Sequence, residues 1–217
     1  MENSELLAKR FWNQIFGDDF EFLDSYFKTY YEKENLIIDI DKENNEVRYM
    51  SLIVPYDYNY YGKTIKTAYI TAISTNPKYR GMGMMKKNME EVEKRLKEKE
   101  IIISCLIPAN ETLRQTYNRY GYVECFTKTK PLDNNKSIIH NEKTFSLYNE
   151  LGYDIEKLEN HNKGMIKIIN PEMAIELYLN HNKEKVKLRE EKLRELSQEQ
   201  LTKEIFGGSF MNLMFDV

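Results

Sequence analysis

The feature that most constrains this chain is a change of hydrophobic period inside residues 68–122. Residues 68–75 read as a strand, and Pro77-Lys78-Tyr79-Arg80-Gly81-Met82-Gly83 reads as a glycine turn. Met85, Met89, Val92 and Leu96 then recur at spacings of four, three and four, one face of a helix from about Gly83 to Lys99. A short, almost wholly apolar run at 101–107 suits a central parallel strand covered on both faces, and a second helix follows at about 110–120. Strand, helix and strand in this order make a right-handed crossover unit, which the rest of the chain supports.

Ahead of this unit, Leu6, Leu7, Phe11, Trp12 and Ile15 share one helical face that ends at Gly17, while Asp18 and Asp19 can cap a second helix carrying Phe22, Leu23, Tyr26, Phe27 and Tyr30. These aromatic stripes suit packing, and a helix pair at this position could also wall a substrate site. Residues 36–40, 47–54 and 65–75 are rich in Ile, Val, Tyr and Thr, with polar turns at 41–46 and 57–62, which predicts an antiparallel meander. After Tyr122, residues 126–130 and 144–148 read as strands, and 131–136 and 154–163 as polar connectors, the second a domain boundary. Beyond it a strand at 165–169, a helix opened by Pro171, a charged helical stretch at 183–195, a capping box of Ser197 with Gln200, a stop at Gly207-Gly208 and a strand at 210–215 complete the reading.

Composition narrows the class. The 217 residues carry a net charge of −3 with Lys and Glu interspersed, so no basic stripe points to nucleic acid. Glu5, Lys9 and Arg10 interrupt the first apolar positions and no run is long enough to span a bilayer, so a soluble, cytoplasmic protein without membrane partners is expected. Cys105 and Cys125 lie among strand-like residues, where a buried, reduced thiol is expected ahead of a disulfide or a nucleophile. His140, His161 and His181 have no ligand spacing, and no metal is expected.

A strand running into Arg80-Gly81-Met82-Gly83 and then a helix places free backbone N–H groups at a helix N-terminus, where the dipole also favours an anion. A phosphate would fit there; a tight connection with no ligand is the plain alternative. A third glycine for a dinucleotide loop is missing, as is the Gly-Lys-Ser/Thr of a nucleoside-triphosphate loop.

The stretch Thr75-Asn76-Pro77-Lys78-Tyr79-Arg80-Gly81-Met82-Gly83-Met84-Met85 resembles the Arg/Gln-x-x-Gly-x-Gly/Ala signature of the Gcn5-related N-acetyltransferase (GNAT) family, with Met85 departing from the usual final small residue. Asn110, then Tyr117 seven residues on, then Tyr120-Gly121-Tyr122, is similar to that family's second block. The layout further resembles the enhanced intracellular survival (Eis) subgroup, through Ile107-Pro108-Ala109 and a tail like a shortened sterol-carrier-protein region whose middle is absent. The resemblance implies an α/β (α+β) fold: a GNAT-type mixed sheet with central splayed parallel strands flanked by helices, plus a small C-terminal α/β appendage. It places the acetyltransferase domain at 1–155 and the appendage at 156–217.

The resemblance also implies acetyl-coenzyme A as co-substrate. The amides of Arg80, Gly81, Met82, Gly83, Met84 and Met85 would hold its diphosphate, and Ile73, Ser74 and Thr75 would pair with the pantetheine arm. Asn110 would be a coenzyme contact, helix capping being its other reading. Tyr117 would act as the acid and the terminal carboxylate of Val217 as a base in direct attack of a small-molecule or peptide amine on the thioester. A non-catalytic coenzyme-A-binding module and a lipid-binding protein are the competing readings, and the assembly state, a homo-oligomer included, is left open.

Overall fold

The computed structural model describes residues 4–126, 135–139, 142–153, 163–182 and 186–209. Among them run eight α-helices and seven strands: α1 (Ser4–Phe16), α2 (Phe20–Tyr30), β1 (Leu36–Asp41), β2 (Glu46–Tyr60), β3 (Lys63–Thr75), α3 (Met84–Glu98), β4 (Ile103–Leu106), α4 (Glu111–Arg119), β5 (Val123–Glu124), β6 (Lys136–Ile139), α5 (Glu142–Glu150), β7 (Met165–Ile168), α6 (Pro171–His181), α7 (Val186–Glu195) and α8 (Gln198–Phe206). The strands form a mixed sheet in the order β1-β2-β3-β4-β7-β5, with β6 on β2. The chain divides into two compact units, Met1–Pro55 with Tyr69–Arg95 and His140–Glu156, and Tyr56–Ala68 with Leu96–Ile139 and Lys157–Val217.

In the first unit, aromatic side chains predicted to pack do so. Trp12 is buried edge-on against Tyr26 at 5.3 Å and Phe27 at 5.9 Å between ring centroids, pairs worth about 0.5–1.5 kcal/mol each beyond their buried area. Its Nε1–H donates to Asp18 Oδ2 at 2.6 Å, satisfying the polar edge of the ring. Asp19 caps α2 by accepting from the Phe22 N–H, and Gly17 ends α1 at φ +86°. Leu6 departs from the expected stripe and is exposed. β1 pairs antiparallel with β2 from Leu36 opposite Leu52 to Asp41 opposite Glu46.

Two sequence expectations fail here for physical reasons. Residues 144–148 are part of helix α5: Thr144, Leu147 and Tyr148 are buried at helical spacing while Phe145 is exposed, and the buried Thr144 hydroxyl meets Tyr30 Oη at 2.9 Å. β-rich composition over five residues could not show that period. On α3, Met84, Asn88, Met89, Val92 and Leu96 are buried while Met85 is only half-buried, so the buried face is rotated by one residue at its start.

In the second unit, β4 pairs antiparallel with β7 from Ile103 opposite Ile168 to Leu106 opposite Met165, and β7 pairs antiparallel with β5. The Thr67 hydroxyl donates to the Ile103 carbonyl at 2.9 Å. The polar turn expected at 57–62 is strand up to Tyr60. Tyr56, Tyr58 and Tyr60 are buried on alternate positions, and only Tyr61 and Gly62, at φ +49° and +82°, make the two-residue turn into β3. The connector expected at 131–136 gives way to β6 from Lys136 onward, antiparallel to residues 57–60 of β2. Pro171 opens α6, and Ser197 and Gln200 complete both halves of the capping box of α8. The strands expected at 126–130 and 210–215 fall mostly or wholly outside the described residues, as does Val217.

Candidate functional site

The glycine turn is built from the backbone upward. Asn76 accepts from the Lys78 N–H at 3.1 Å and starts a short 3-10 helix at Pro77–Tyr79. The Arg80 and Met82 N–H groups reach back to the Pro77 and Tyr79 carbonyls, both at 3.4 Å. Gly81 and Gly83 then take φ +77° and +74°, the left-handed region that a side-chain-bearing residue adopts only with strain. A Cβ at either would meet nothing within 4 Å, so glycine serves conformation there and leaves an open face.

The first helical bond of α3 runs from the Lys87 N–H to Gly83 O at 3.2 Å. The N–H groups of residues 83–86 therefore stand at the helix end with no preceding carbonyl in register. No acidic residue lies in that first turn, while Lys86, Lys87 and Arg80 nearby in sequence are exposed, Lys86 pairing with Glu90 at 3.8 Å. Arg80 and Lys87 make no side-chain hydrogen bond or ion pair with a described residue. Dipole, open amides and net positive charge together suit an anion such as a diphosphate. Met82, 60% exposed, stands at the apex.

Ile73 and Thr75 are half-buried, and the buried Ser74 hydroxyl bonds the Ala72 carbonyl at 3.0 Å. Ala72 sits inside β3 at φ +50°. A left-handed alanine within a strand costs on the order of 1–3 kcal/mol, a local strain just ahead of Ile73–Thr75. Nothing in the sequence marks this position.

In the second unit, Asn110 caps helix α4 and Tyr117 lies within it. Asn110 Oδ1 accepts from the Leu113 N–H at 2.9 Å, so the capping reading is realised. Tyr117 is buried against Tyr122, with ring centroids 6.2 Å apart, and desolvation pushes its hydroxyl up to about 12. That hydroxyl bonds to no described residue, and burial is the cause of its raised pKa. The Tyr122 hydroxyl is committed to Ser104 Oγ at 2.9 Å.

Burial raises both thiols: Cys125 to about 12, and the fully buried Cys105 beyond any physiological range. Neither is a thiolate at neutral pH. Among the described residues no group of three or more His, Cys, Asp or Glu side chains converges as metal ligands would, and no helix is long and apolar enough to cross a membrane. The geometry thus gathers Ile73–Thr75 and Arg80–Met85 in one unit and Asn110 with Tyr117 in the other. Asn76 and Asn88, buried beside the glycine turn, were not singled out by sequence, because nothing in the sequence distinguishes them from solvated polar residues.

A family model for an acetyltransferase (GNAT) domain matches residues 3–125, more than half of the chain. The chain belongs to the GNAT family. No curated protein matches it. Among solved structures, Eis1 from Mycobacterium abscessus is similar in fold at a TM-score of 0.54 and 10% identity, over 76% of this chain and 49% of that one. A GCN5-related N-acetyltransferase from Anabaena variabilis gives a TM-score of 0.49 at 24% identity, over 58% and 31%. A probable N-acyltransferase from Enterococcus faecalis gives 0.48 at 18%, over 56% and 30%. The chain thus spans less than half the length of each of these proteins.

Proposed function

We propose that this protein is an N-acetyltransferase that moves an acetyl group from acetyl-coenzyme A to a primary amine by direct attack in a ternary complex. The observation that carries the reading is the pair of left-handed glycines, Gly81 and Gly83, opening the N-terminus of α3 to an anion. Arg80 to Met85 hold the diphosphate, and Ile73–Thr75 pair with the pantetheine arm. The left-handed Ala72 inside β3 supports a role for amides nearby in polarising the thioester carbonyl, an interaction whose loss typically costs on the order of a hundredfold. The amine nitrogen bonds to the carbonyl carbon, the carbon–sulfur bond breaks, the amine loses a proton and the departing thiolate gains one.

Tyr117 supplies the proton to sulfur. Asn110 adds a coenzyme contact to its capping bond. The buried thiols support transfer without an acyl-enzyme. Residues 156–217 are read as a shortened sterol-carrier-like region, in which β7 also joins the sheet beside β4. An Eis-like layout fits the fold similarity to Eis1.

One observation favours the alternative, a coenzyme-A-binding protein without catalysis: a tyrosine raised to about 12 is a weak acid for a thiolate. Thiol release from acetyl-coenzyme A with a panel of amines tests the choice. Amine-dependent release that Tyr117→Phe abolishes supports the enzyme; tight coenzyme binding without release supports the binder.

A further inference from the structure

The glycine turn and the start of α3 are tied to one strand, β2, at successive points. Glu46 pairs with Lys78. The Val47 carbonyl accepts from Asn76 Nδ2 at 3.0 Å, and the Arg48 carbonyl from the Asn76 N–H at 2.9 Å. The Met50 carbonyl accepts from Asn88 Nδ2 at 2.9 Å, and Ser51 Oγ donates to Asn88 Oδ1 at 2.7 Å. Asn88, Met50 and Ser51 are 0% exposed and Asn76 is 7% exposed.

A buried asparagine is costly unless both ends of its amide are satisfied. Here each amide spends both ends on the turn or on β2, one ahead of the glycines and one a turn into the helix. Leucine or alanine would fill the Asn88 position in an ordinary amphipathic helix. A fully satisfied amide instead fixes the rotation and height of α3, because a hydrogen bond tolerates far less sliding than an apolar contact.

We infer that Asn76 and Asn88 are positioning residues that clamp the diphosphate-binding turn to β2, so that β2 sets where the coenzyme is held. The inference rests on the reading of residues 80–85 as the diphosphate site. It predicts a selective defect: loosening the clamp weakens ligands that carry a diphosphate and spares those that carry only the arm.

The test uses the full chain and two ligands, acetyl-coenzyme A and S-acetylpantetheine, which has the same thioester and arm without the diphosphate and nucleotide. Asn88→Leu removes both bonds. It is expected to raise the Kd and KM for acetyl-coenzyme A by about tenfold, with kcat and the Kd for S-acetylpantetheine within about twofold. Equal losses for both ligands, or none for either, overturn the clamp. Should Asn88→Leu fail to fold, the double variant Asn88→Leu/Ser51→Ala, which strands no hydroxyl, and Asn76→Ala carry the same two outcomes. If the wild-type chain binds acetyl-coenzyme A no better than S-acetylpantetheine, the turn is no diphosphate site and the clamp falls with it, a result visible without any variant.

Discussion

The Tyr79 hydroxyl donates to Asp41 Oδ2 at 2.9 Å, linking the glycine turn to the end of β1. The bond lowers Asp41 below its ordinary 3.8, chiefly through Tyr79 itself, and raises Tyr79 above its own, chiefly through Asp41. A carboxylate lowered in the folded state contributes stability above its unfolded pKa and loses it as pH falls through the folded one. The link therefore persists at neutral pH and is released only below about pH 4. In Tyr79→Phe, carboxyl titration by NMR should return Asp41 towards its ordinary value; an unchanged titration would show that Tyr79 does not hold it.

Gly83→Ala introduces no clash, only a side chain at φ +74°. The expected cost is about 1 kcal/mol, read by urea unfolding, because alanine resists the left-handed region. Coenzyme A affinity should fall as well, since relaxing that φ turns the amides at the start of α3. Unchanged stability and unchanged affinity together would show that the turn tolerates another conformation.

Tyr117→Phe should leave stability nearly unchanged, since the hydroxyl bonds to no described residue, while amine-dependent thiol release falls by about 100-fold or more. Because burial raises Tyr117 to about 12, its proton stays on throughout the neutral and mildly alkaline range. The sign follows: the unfolded chain ionises first as pH passes about 10, so this group's contribution to stability is lost between about 10 and 12, not below. An alkaline fall in rate below pH 9 that Tyr117→Phe removes would contradict this assignment.

How far the sequence reached is clearest in pairs of residues. Ser197 with Gln200, and Pro171, were legible because caps and helix starts are set by local bonds that side chains announce. The turn was legible because glycine alone is at ease at the φ of residues 81 and 83. Tyr56, Tyr58 and Tyr60 were hidden by Asp57 and Asn59, whose polarity suggested a turn although strand alternation was present. Thr144, Phe145 and Tyr148 suggested a strand because five residues are too few to show a period, and packing decided for a helix. Asn88 was read past because a polar residue between Lys87 and Met89 looks solvated; only the fold brings Met50 and Ser51 to it. Ala72 carries no local signal, since its φ is imposed by its surroundings.

Cys105, fully buried with its pKa raised by desolvation, should resist alkylation at neutral pH until the chain unfolds. Cys105→Ala should keep amine-dependent thiol release within about twofold while lowering stability by about 1–2 kcal/mol for the space it leaves. Mass spectrometry after a brief incubation with acetyl-coenzyme A should find no acetyl group on Cys105; an acetylated thiol would replace direct attack by a two-step route.

The most direct measurement is an amide NMR titration with coenzyme A. The account expects saturable shifts at the N–H groups of Gly83, Met84, Met85 and Lys86, the groups standing open at the start of α3. Saturable binding that leaves those four amides unmoved, or no binding at all, would contradict it.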